Sequence, residues 1–370
     1  MTKQAPFIDI IAGARPNFMK IAPIIVALDT WRTDGCALRY RLVHTGQHYD
    51  ASMSGDFFAQ LGIPTPDVNL EVGSGTQAEQ TATIMTRYEK LLLDKPSSLC
   101  LVVGDVTSTM ASAIAAQKLG VPVAHVEAGI RSGDWSMPEE INRMVTDAIT
   151  NYFFTTSVTA NRNLQLSGVQ KERIFFVGNT MIDTLLTNLD QLKPPKFCGE
   201  IGLQPGGYFV LTLHRPANVD CIGTFTEWVQ TICEGSRGLP VIFPVHPRTA
   251  KTLRGIRHLP ENLCLVPPQP YLEFNYLVKN ALAVITDSGG ITEETTVMGV
   301  PCMTLRDSTE RPETVTVGTN ELVGTDPSKL PPYLDRLFVG EWKKAGIPEL
   351  WDGKTGMRIV EILYHLLLGP

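Results

Sequence analysis

The stretch ITDSGGITEE (285–294) has an apolar run, a glycine turn and then a carboxylate about one helical turn later. A strand that enters a Ser-Gly-Gly turn (288–290) and then a helix leaves backbone N–H groups at the helix start, where the dipole favours an anion such as phosphate. Glu294 suits a different partner, because a carboxylate can accept hydrogen bonds from two vicinal ribose hydroxyls. The alternative is structural, with Ser288 as a helix cap and the adjacent acids favouring the first turn.

Other apolar runs in the chain also end in charged or histidine side chains. These ends read GARPNFMK, HTGQHYD, GDVTST, HVEAGIRSGDWSMPEE, LHRPANVD and VHPRT. Ligands of open α/β sheets bind beyond the carboxyl ends of the strands, so the acids, bases and cations of these segments are expected at one edge. A cleft between two domains would collect them.

The elements that position these residues alternate along the chain. Short β-rich runs such as FIDIIAG (7–13) precede segments with apolar residues at helical spacing. The runs are apolar at nearly every position rather than at every second one, as in parallel strands covered on both faces. A Pro- and Gly-rich break at 193–207 is ill suited to a helix or a central strand, and the alternation restarts after it. We predict an α/β protein with two doubly wound domains, 1–190 and 191–352, and a C-terminal helix in 353–370 that packs back on the first domain.

Composition excludes several classes of partner. The net charge is −6 and no run of five like charges occurs, which argues against nucleic acid or an anionic membrane surface as the main partner. The N-terminus does not have the pattern of a signal peptide, and no stretch reaches the 18 or so apolar residues of a membrane span. We therefore expect a cytoplasmic protein.

Missing motifs exclude several kinds of chemistry. The first strand is followed by AGARPNFMK, which lacks the GxGxxG of nicotinamide and flavin proteins, and no GxxxxGK[ST] occurs. The seven cysteines form no CxxC, and no His, Cys and acid combination has metal-ligand spacing. The sequence thus predicts no redox cofactor and no metal.

The motifs taken together resemble a known family, the non-hydrolysing UDP-N-acetylglucosamine 2-epimerases. The segments that carry the resemblance are GARPNFMKIAPI, TGQHYD, VVGDVTST, AHVEAGIRSGD, PEEINRMVTD, VGNTMIDTL, LTLHRPANVD, PQPYLEF, TDSGGITEE and RDSTERPETVTVGTNELVG. They follow the family's order between residues 8 and 324.

The resemblance implies a glycosyltransferase-B-like fold, with two Rossmann-like domains and the active site in the cleft between them. It also implies that a homodimer without a cofactor interconverts UDP-N-acetylglucosamine and UDP-N-acetylmannosamine. The implied route is anti elimination of UDP to a 2-acetamidoglucal, followed by syn re-addition.

The resemblance also implies roles for individual residues. The positions that match catalytic residues of the family are Asp105, Glu127, Glu139 and His214. The positions that match its UDP-sugar contacts are Arg15, Lys20, Gln269, Phe274, Ser288, Gly289, Gly290, Glu294 and Arg311. Candidates for a regulatory site or for supporting contacts are Gln47, His48, Arg131 and His246. Within the second set, Gln269 and Phe274 match the uracil contacts, 288–290 the phosphate turn and Glu294 the ribose contact.

Alternatives stay open for the reaction and for single residues. The same motifs suit a 2-epimerase that acts on a related UDP-2,3-diacetamido sugar, or a hydrolysing epimerase that releases N-acetylmannosamine and UDP. A glycosyltransferase or a catalytically silent UDP-sugar binder could use the same scaffold. Asp105 could be only a helix cap, and Glu127 and Glu139 only surface acids. Glu140 and Arg143, at i, i+3 spacing, could be a solvated pair.

Overall fold

The chain folds into two compact units, which we describe from a computed structural model. The first unit is Met1–Thr187 with Glu349–Pro370, and the second is Asn188–Pro348. The structure describes residues 6–46, 58, 60–245, 247–256 and 258–369.

Each unit is built on a parallel sheet. The strands are β1 Phe7–Ala12, β2 Arg39–His44, β3 Val68–Asn69, β4 Leu99–Val103, β5 Val123–Val126, β6 Tyr152–Thr155, β7 Ile174–Phe176, β8 Phe209–Thr212, β9 Val241–Pro244, β10 Leu263–Val266, β11 Ala283–Thr286, β12 Cys302–Thr304 and β13 Asn320–Leu322. The first sheet has the order β3-β2-β1-β4-β5-β6-β7 and the second β10-β9-β8-β11-β12-β13, with every pairing parallel. The order reverses between β1 and β4 and again between β8 and β11, and such switch points are where ligands of these folds bind.

Helices connect the strands. The α-helices are α1 Arg15–Thr33, α2 Gln77–Asp94, α3 Thr107–Lys118, α4 Pro138–Ile149, α5 Val158–Leu166, α6 Thr180–Asn188, α7 Lys196–Glu200, α8 Pro216–Val219, α9 Ile222–Gly235, α10 Pro247–Leu253, α11 Tyr271–Lys279, α12 Gly289–Met298, α13 Pro312–Thr316, α14 Pro331–Phe338 and α15 Thr355–Leu368. Short 3₁₀ turns occupy Lys171–Arg173, Leu189–Gln191 and Pro327–Lys329.

The uniformly apolar runs became strands buried on both faces. Every residue of β4 and β5 is buried, as expected when helices cover both sides of a parallel sheet. Two strands, β3 and β13, were not predicted, because their sequences VN and NEL contain no continuous apolar run.

The turn after β1 is tied to the end of β4. The Asn17 side-chain oxygen accepts hydrogen bonds from the amides of Gly13 and Ala14 at 3.0 and 3.1 Å. Its Nδ2 donates to the Val103 carbonyl at 3.0 Å. Asn17 therefore holds together the two strand ends that form the first switch point.

The C-terminal helix α15 belongs to the first unit and packs against α1. The Gly356 amide donates to Asp183 Oδ2 at 2.7 Å, and the buried Trp351 indole donates to the Thr156 carbonyl at 3.3 Å. The chain thus leaves the first unit near residue 188 and returns to complete it.

The sequence predicts no helix in the break at 193–207, and this prediction is wrong. The short helix α7 lies inside it, directly after Pro195. Proline is tolerated there because the first helical N–H groups have no partner within a helix. Among the described residues, no helix has the length and apolar character needed to cross a bilayer.

Candidate functional site

Lys20 and Glu127 form a buried ion pair at the first switch point. Lys20 Nζ lies 2.5 Å from Glu127 Oε2, and the two side chains are 11% and 5% exposed. The turn after β4 runs close beside them, because a Cβ on Gly104 would lie 2.8 Å from Lys20 Nζ. Gly104 also has a φ of +66°, so this position requires glycine.

The backbone of Glu127 is strained. Its φ is +76°, which is uncommon for a residue with a side chain. The strained turn is held because the Glu127 amide donates to the Phe154 carbonyl at 2.9 Å. A buried carboxylate on strained backbone is typical of a functional site, and the alternative of an ordinary surface acid is wrong for Glu127.

Asp105 is held by α4 rather than serving as a helix cap. Arg143 Nη2 lies 2.5 Å from Asp105 Oδ2, and Asn142 Nδ2 donates to the Asp105 carbonyl at 2.9 Å. The N-cap of α3 is Val106, one residue later. The Asp105 side chain keeps 24% of its surface exposed, so it remains accessible to a ligand.

Arg143 also contacts Glu140, and this pair is buried rather than solvated. Arg143 Nη1 lies 2.7 Å from Glu140 Oε2, with both side chains at most 5% exposed. The Glu140 carboxylate also accepts from the amides of Ser132 and Gly133 at 3.0 and 3.1 Å. Burial alone raises the pKa of Glu140, but the Ser132 amide, Arg143 and the Gly133 amide outweigh it, and the pKa is lowered.

Glu139 is the first acid of α4 and stands apart from this network. It is half-buried in the first turn of the helix, where the dipole favours a carboxylate. Its side chain makes no hydrogen bond or ion pair with any residue in the described part of the chain. Glu139 is therefore the acid of this region with the fewest constraints from the protein.

Arg131 is bound to a buried carboxylate. Arg131 Nη1 lies 2.6 Å from Asp147 Oδ2, and Asp147 Oδ1 lies 2.8 Å from His125 Nδ1. His125 Nε2 lies 2.8 Å from the Gly104 carbonyl. Burial by itself raises the pKa of Asp147, but His125 and Arg131 lower it overall. Arg131, Asp147 and His125 thus form a chain of contacts that ends at the Gly104 carbonyl and supports this turn.

The Ser-Gly-Gly turn of the second unit opens α12 at the second switch point. Ser288 occupies the N-cap position, but its side chain makes no capping hydrogen bond to the described residues. Its amide donates to Thr286 Oγ1 at 2.9 Å, and that hydroxyl lies 2.6 Å from Thr212 Oγ1 on the neighbouring strand. The simple capping role is therefore not what the serine hydroxyl does here.

His214 lies on the opposite side of the same switch point, after β8. Its Nδ1 is 2.8 Å from Asp287 Oδ1, and its side chain is 43% exposed while Asp287 is fully buried. Asp287 directly precedes the Ser-Gly-Gly turn, so one carboxylate connects the histidine to that turn.

Further charged residues surround the start of α12. Arg215 Nε donates to the Asp287 carbonyl at 2.9 Å, and Arg306 Nη2 lies 2.6 Å from Glu310 Oε2. Glu310 is close to the turn, because its Oε1 would be 2.5 Å from a Cβ on Gly289. The turn therefore lies among two arginines and one carboxylate.

Arg311, a predicted substrate contact, is buried and paired with Glu293. Glu293 belongs to α12 and is itself 1% exposed. The ion pair holds the Arg311 guanidinium against α12. Removing either partner would leave a buried charge uncompensated.

Glu294 lies one residue further along α12 in a buried polar cluster. Asn275 Nδ2 donates to Glu294 Oε1 at 3.3 Å, and Tyr271 lies nearby. Burial raises the pKa of Glu294 to about 7, against smaller lowering effects of Asn275 and Tyr271. This carboxyl group therefore changes charge near neutral pH.

The predicted uracil contacts lie at the start of α11. Gln269 is half-buried, and its Nε2 donates to the Pro267 carbonyl at 2.6 Å. Phe274 packs against the apolar cluster that includes Tyr208 and Leu277. Phe274 is thus partly a core residue.

Gln47, His48 and His246 lie outside the described residues, and for Arg15 only the backbone at the start of α1 is described. Sequence reasoning also missed residues of the site, namely Asp287, Arg143, Arg306 and Glu310. The sequence position of Asp287 could have identified it, because this acid lies at a strand end directly before the glycine turn. No signal distinguished Arg143 from a surface arginine.

Among the described residues, no three His, Cys, Asp or Glu side chains are grouped as a metal site would require. The arrangement instead offers paired carboxylates and cations in the first unit. The second unit offers an anion-accepting helix start beside a histidine.

Comparison with known proteins places the chain among nucleotide-sugar epimerases. The family model for UDP-N-acetylglucosamine 2-epimerase matches residues 33–364. A UDP-N-acetylglucosamine 2-epimerase of Methanocaldococcus jannaschii is 41% identical over 375 residues, which cover 97% of this chain and 99% of the relative. A UDP-2,3-diacetamido-2,3-dideoxy-D-glucuronate 2-epimerase of Pseudomonas aeruginosa is 40% identical over 318 residues, covering 85% of this chain and 87% of the relative.

A solved structure shares the fold. The crystal structure of the M. jannaschii UDP-GlcNAc 2-epimerase in complex with UDP-GlcNAc and UDP matches with a TM-score of 0.84 at 40% identity, covering 97% of this chain and 99% of that one. The predicted fold class, α/β and glycosyltransferase-B-like with two doubly wound units, is confirmed.

Proposed function

The chain belongs to the UDP-N-acetylglucosamine 2-epimerase family, and from that premise we propose that it interconverts UDP-N-acetylglucosamine and UDP-N-acetylmannosamine. The observation that carries the proposal is the set of carboxylates at the first switch point, where Glu127 contacts Lys20 and Asp105 contacts Arg143. The M. jannaschii relative, whose structure contains UDP-GlcNAc and UDP, supports the same class of substrate.

The chemistry explains why several acids are needed. The hydrogen at C2 of the sugar is not next to a carbonyl, so a carboxylate with an ordinary pKa of about 4 cannot remove it alone. In the gluco sugar, C2–H and the C1–O bond to UDP are antiperiplanar. As a carboxylate takes the proton, the C2–H electron pair forms the C1–C2 double bond and the C1–O pair leaves with UDP.

The return step inverts C2 of the resulting 2-acetamidoglucal. A proton is added to C2 from the opposite face, and an oxygen of UDP re-forms the bond to C1, which gives the manno sugar. Removal and delivery on opposite faces require two differently placed acid–base groups. We assign these roles to Asp105 and Glu139, with Glu127 supporting them.

Charge development in the transition state fits the remaining residues. The diphosphate gains negative charge, which the α12 start at 288–290, Arg15, Lys20 and His214 would stabilise. Positive character at C1 is stabilised by the carboxylates. His214 supplies a proton to the leaving phosphate oxygen or hydrogen-bonds to it.

The nucleoside contacts follow from the resemblance and from the second unit. We assign uracil to Gln269 and Phe274, the ribose hydroxyls to Glu294, and a further basic contact to Arg311. Ionised Glu294 can accept from both ribose hydroxyls, which favours this assignment near and above neutral pH.

Assembly and regulation follow from the resemblance alone. We propose a cytoplasmic homodimer without a cofactor. Gln47, His48 and His246 remain predicted regulatory or supporting residues. For Arg131, the pair with Asp147 favours support of the Gly104 turn.

Solvent exchange at C2 tests the function. The protein is incubated with UDP-N-acetylglucosamine in deuterated water and followed by proton NMR, with expected deuterium at C2 of both UDP sugars. Free N-acetylmannosamine with UDP would instead show a hydrolase. The P. aeruginosa relative makes the 2,3-diacetamido uronate sugar the second substrate to try. No exchange with either sugar, despite UDP binding, would overturn the proposal.

Variants of the acids test the assignment of roles. Asp105→Asn and Glu139→Gln should each lower turnover by about 10²-fold, because each removes an acid–base group, while UDP affinity stays within a few-fold. Glu89→Gln, on the exposed side of α2, is the matched control and should keep normal turnover. Near-normal rates in both site variants would contradict the assignment.

A further inference from the structure

Asp287 is a buried carboxylate to which the motif-based assignment gave no role. It is fully buried between β11 and α12, and its two oxygens accept four N–H groups from a single segment, 214–218. These contacts are His214 N at 3.0 Å, His214 Nδ1 at 2.8 Å, Arg215 N at 2.9 Å and Asn218 Nδ2 at 3.1 Å. An ionised carboxylate has about four acceptor positions, so this one is fully used.

The hydrogen-bond pattern determines the proton position on His214. Asp287 can only accept when ionised, so Nδ1 of the ring must carry the hydrogen. In the neutral ring, Nε2 is then the basic nitrogen, and it is the nitrogen that can exchange a proton with a substrate. The carboxylate also stabilises the positively charged ring.

Asp287 remains an anion under ordinary conditions. Burial alone raises its pKa, but His214, the Arg215 amide and Asn218 together lower it. Those donors would be left unsatisfied in the interior if the carboxyl were protonated or replaced.

The same residue is joined to the Ser-Gly-Gly turn. Ser288 follows it directly, and the Asp287 amide donates to the Thr212 carbonyl at 3.2 Å. The Arg215 guanidinium also holds the Asp287 backbone, because its Nε donates to the Asp287 carbonyl at 2.9 Å. The histidine segment and the anion-accepting turn therefore form one connected unit across the switch point between β8 and β11.

We propose that Asp287 is a positioning residue that keeps a hydrogen on Nδ1 of His214 beside the 288–290 turn, so that Nε2 of the charged ring gives its proton to the departing diphosphate oxygen. The neutral Nδ1–H ring that remains takes this proton back when the oxygen returns to C1. This inference rests on the proposed epimerase reaction. It assigns Asp287 no contact with the sugar. The predicted consequence is on turnover rather than on nucleotide binding.

Histidine NMR on the unmodified protein tests the tautomer without any variant at position 287. The seven histidines are labelled with ¹⁵N, and the His214 signals are assigned by their loss in His214→Asn. At alkaline pH, where imidazoles are neutral, His214 should show a protonated Nδ1 and an unprotonated Nε2. A protonated Nε2 in this ring would overturn the proposal.

Asp287→Asn tests the consequence for the reaction. The amide can accept on one side only, so its NH₂ group should shift His214 toward the Nε2–H tautomer and lower kcat by about 10²-fold. KM and the Kd for UDP should stay within about three-fold, which separates positioning from loss of the binding site.

The matched control is Asp307→Asn, in the same unit, whose carboxylate accepts from Thr325 and not from His214. It should leave kcat and the His214 spectrum unchanged. Normal kcat in Asp287→Asn, or loss of kcat with an unchanged His214 tautomer, contradicts the positioning role. Failure of the epimerase proposal itself would appear differently, as absent C2 exchange in the unmodified protein.

Discussion

At the scale of single residues, the hydrogen-bonding neighbours of a buried carboxylate decide whether it keeps its charge. Asp287, Asp147 and Glu140 are buried, yet each accepts several hydrogen bonds from cations or amides, and the pKa of each is lowered. Glu294 is the opposite case, because two neutral polar neighbours do not offset its burial. The same residue type therefore has two behaviours within one fold.

Glu294 should make stability depend on pH. Its pKa is about 7 in the folded protein and 4.5 without the fold, so the folded state binds the proton more tightly. Stability from this group is fully present below about pH 4.5 and falls as the pH rises to 7, by roughly 3 kcal/mol. Glu294→Gln should therefore gain stability relative to the unmodified protein between pH 5 and 8.

Denaturant unfolding at a series of pH values measures this difference. The exposed Glu89→Gln is the control, for which the difference from the unmodified protein should not vary with pH. A Glu294→Gln difference that is equally flat would show that this carboxyl titrates normally in the folded state.

At the scale of elements, helix α4 supports the turn after β4 in the first unit. Its side chains reach the Gly104–Asp105 turn by two routes, directly through Arg143 and indirectly through Asp147 and His125. The contacts come from one helix face, since residues 143 and 147 are separated by four positions. The outer face is exposed at Ile141.

Arg143→Gln should therefore damage both stability and turnover. The change leaves the carboxylates of Asp105 and Glu140 without their cation, which costs about 3–5 kcal/mol for a buried pair. Ile141→Ala on the exposed face of the same helix should cost only about 0.5 kcal/mol. Thermal unfolding and C2 exchange rates measured on both variants would show the difference, and equal effects would contradict the supporting role of α4.

At the scale of the whole molecule, the first unit depends on both ends of the chain. Helix α15 returns to α1 so closely that a Cβ on Gly356 would lie 2.4 Å from the Pro23 carbonyl oxygen and 2.7 Å from its carbon. These are backbone atoms, which cannot move away as a side chain could. The apolar face of α15 is completed by Ile359, Val360 and Leu363, all fully buried.

Gly356→Ala should lower the stability of the first unit by about 1–3 kcal/mol, because the added methyl pushes two packed helices apart. The expected result is a lower unfolding temperature and faster hydrogen exchange in α1 and α15. Gly199→Ala in α7, where a Cβ would meet nothing within 4 Å, is the control and should be neutral or slightly stabilising. A stable Gly356→Ala protein would show that α15 can dock with more clearance.

Much of the fold could be read from local pattern. Uniformly apolar runs such as Leu99–Val103 became buried parallel strands, because a strand covered on both faces has no polar side. The break at 193–207 lies shortly after the boundary between the units at Thr187 and Asn188, near the start of the second unit. The strands β3 and β13 and the helix after Pro195 were not predicted, because their short segments contain no continuous apolar run and no helical period.

By itself the sequence determined the types of chemical group available, their order along the chain and their places at strand ends, since these follow from composition and periodicity. Only the tertiary structure decided which of them are paired or buried. Arg143 of α4 meets Asp105 across 38 positions, and His214 meets Asp287 across 73 positions at two neighbouring strand ends. No local pattern encodes either contact. Ionisation depends on those neighbours and on burial, so the charges of the site belong to the folded protein.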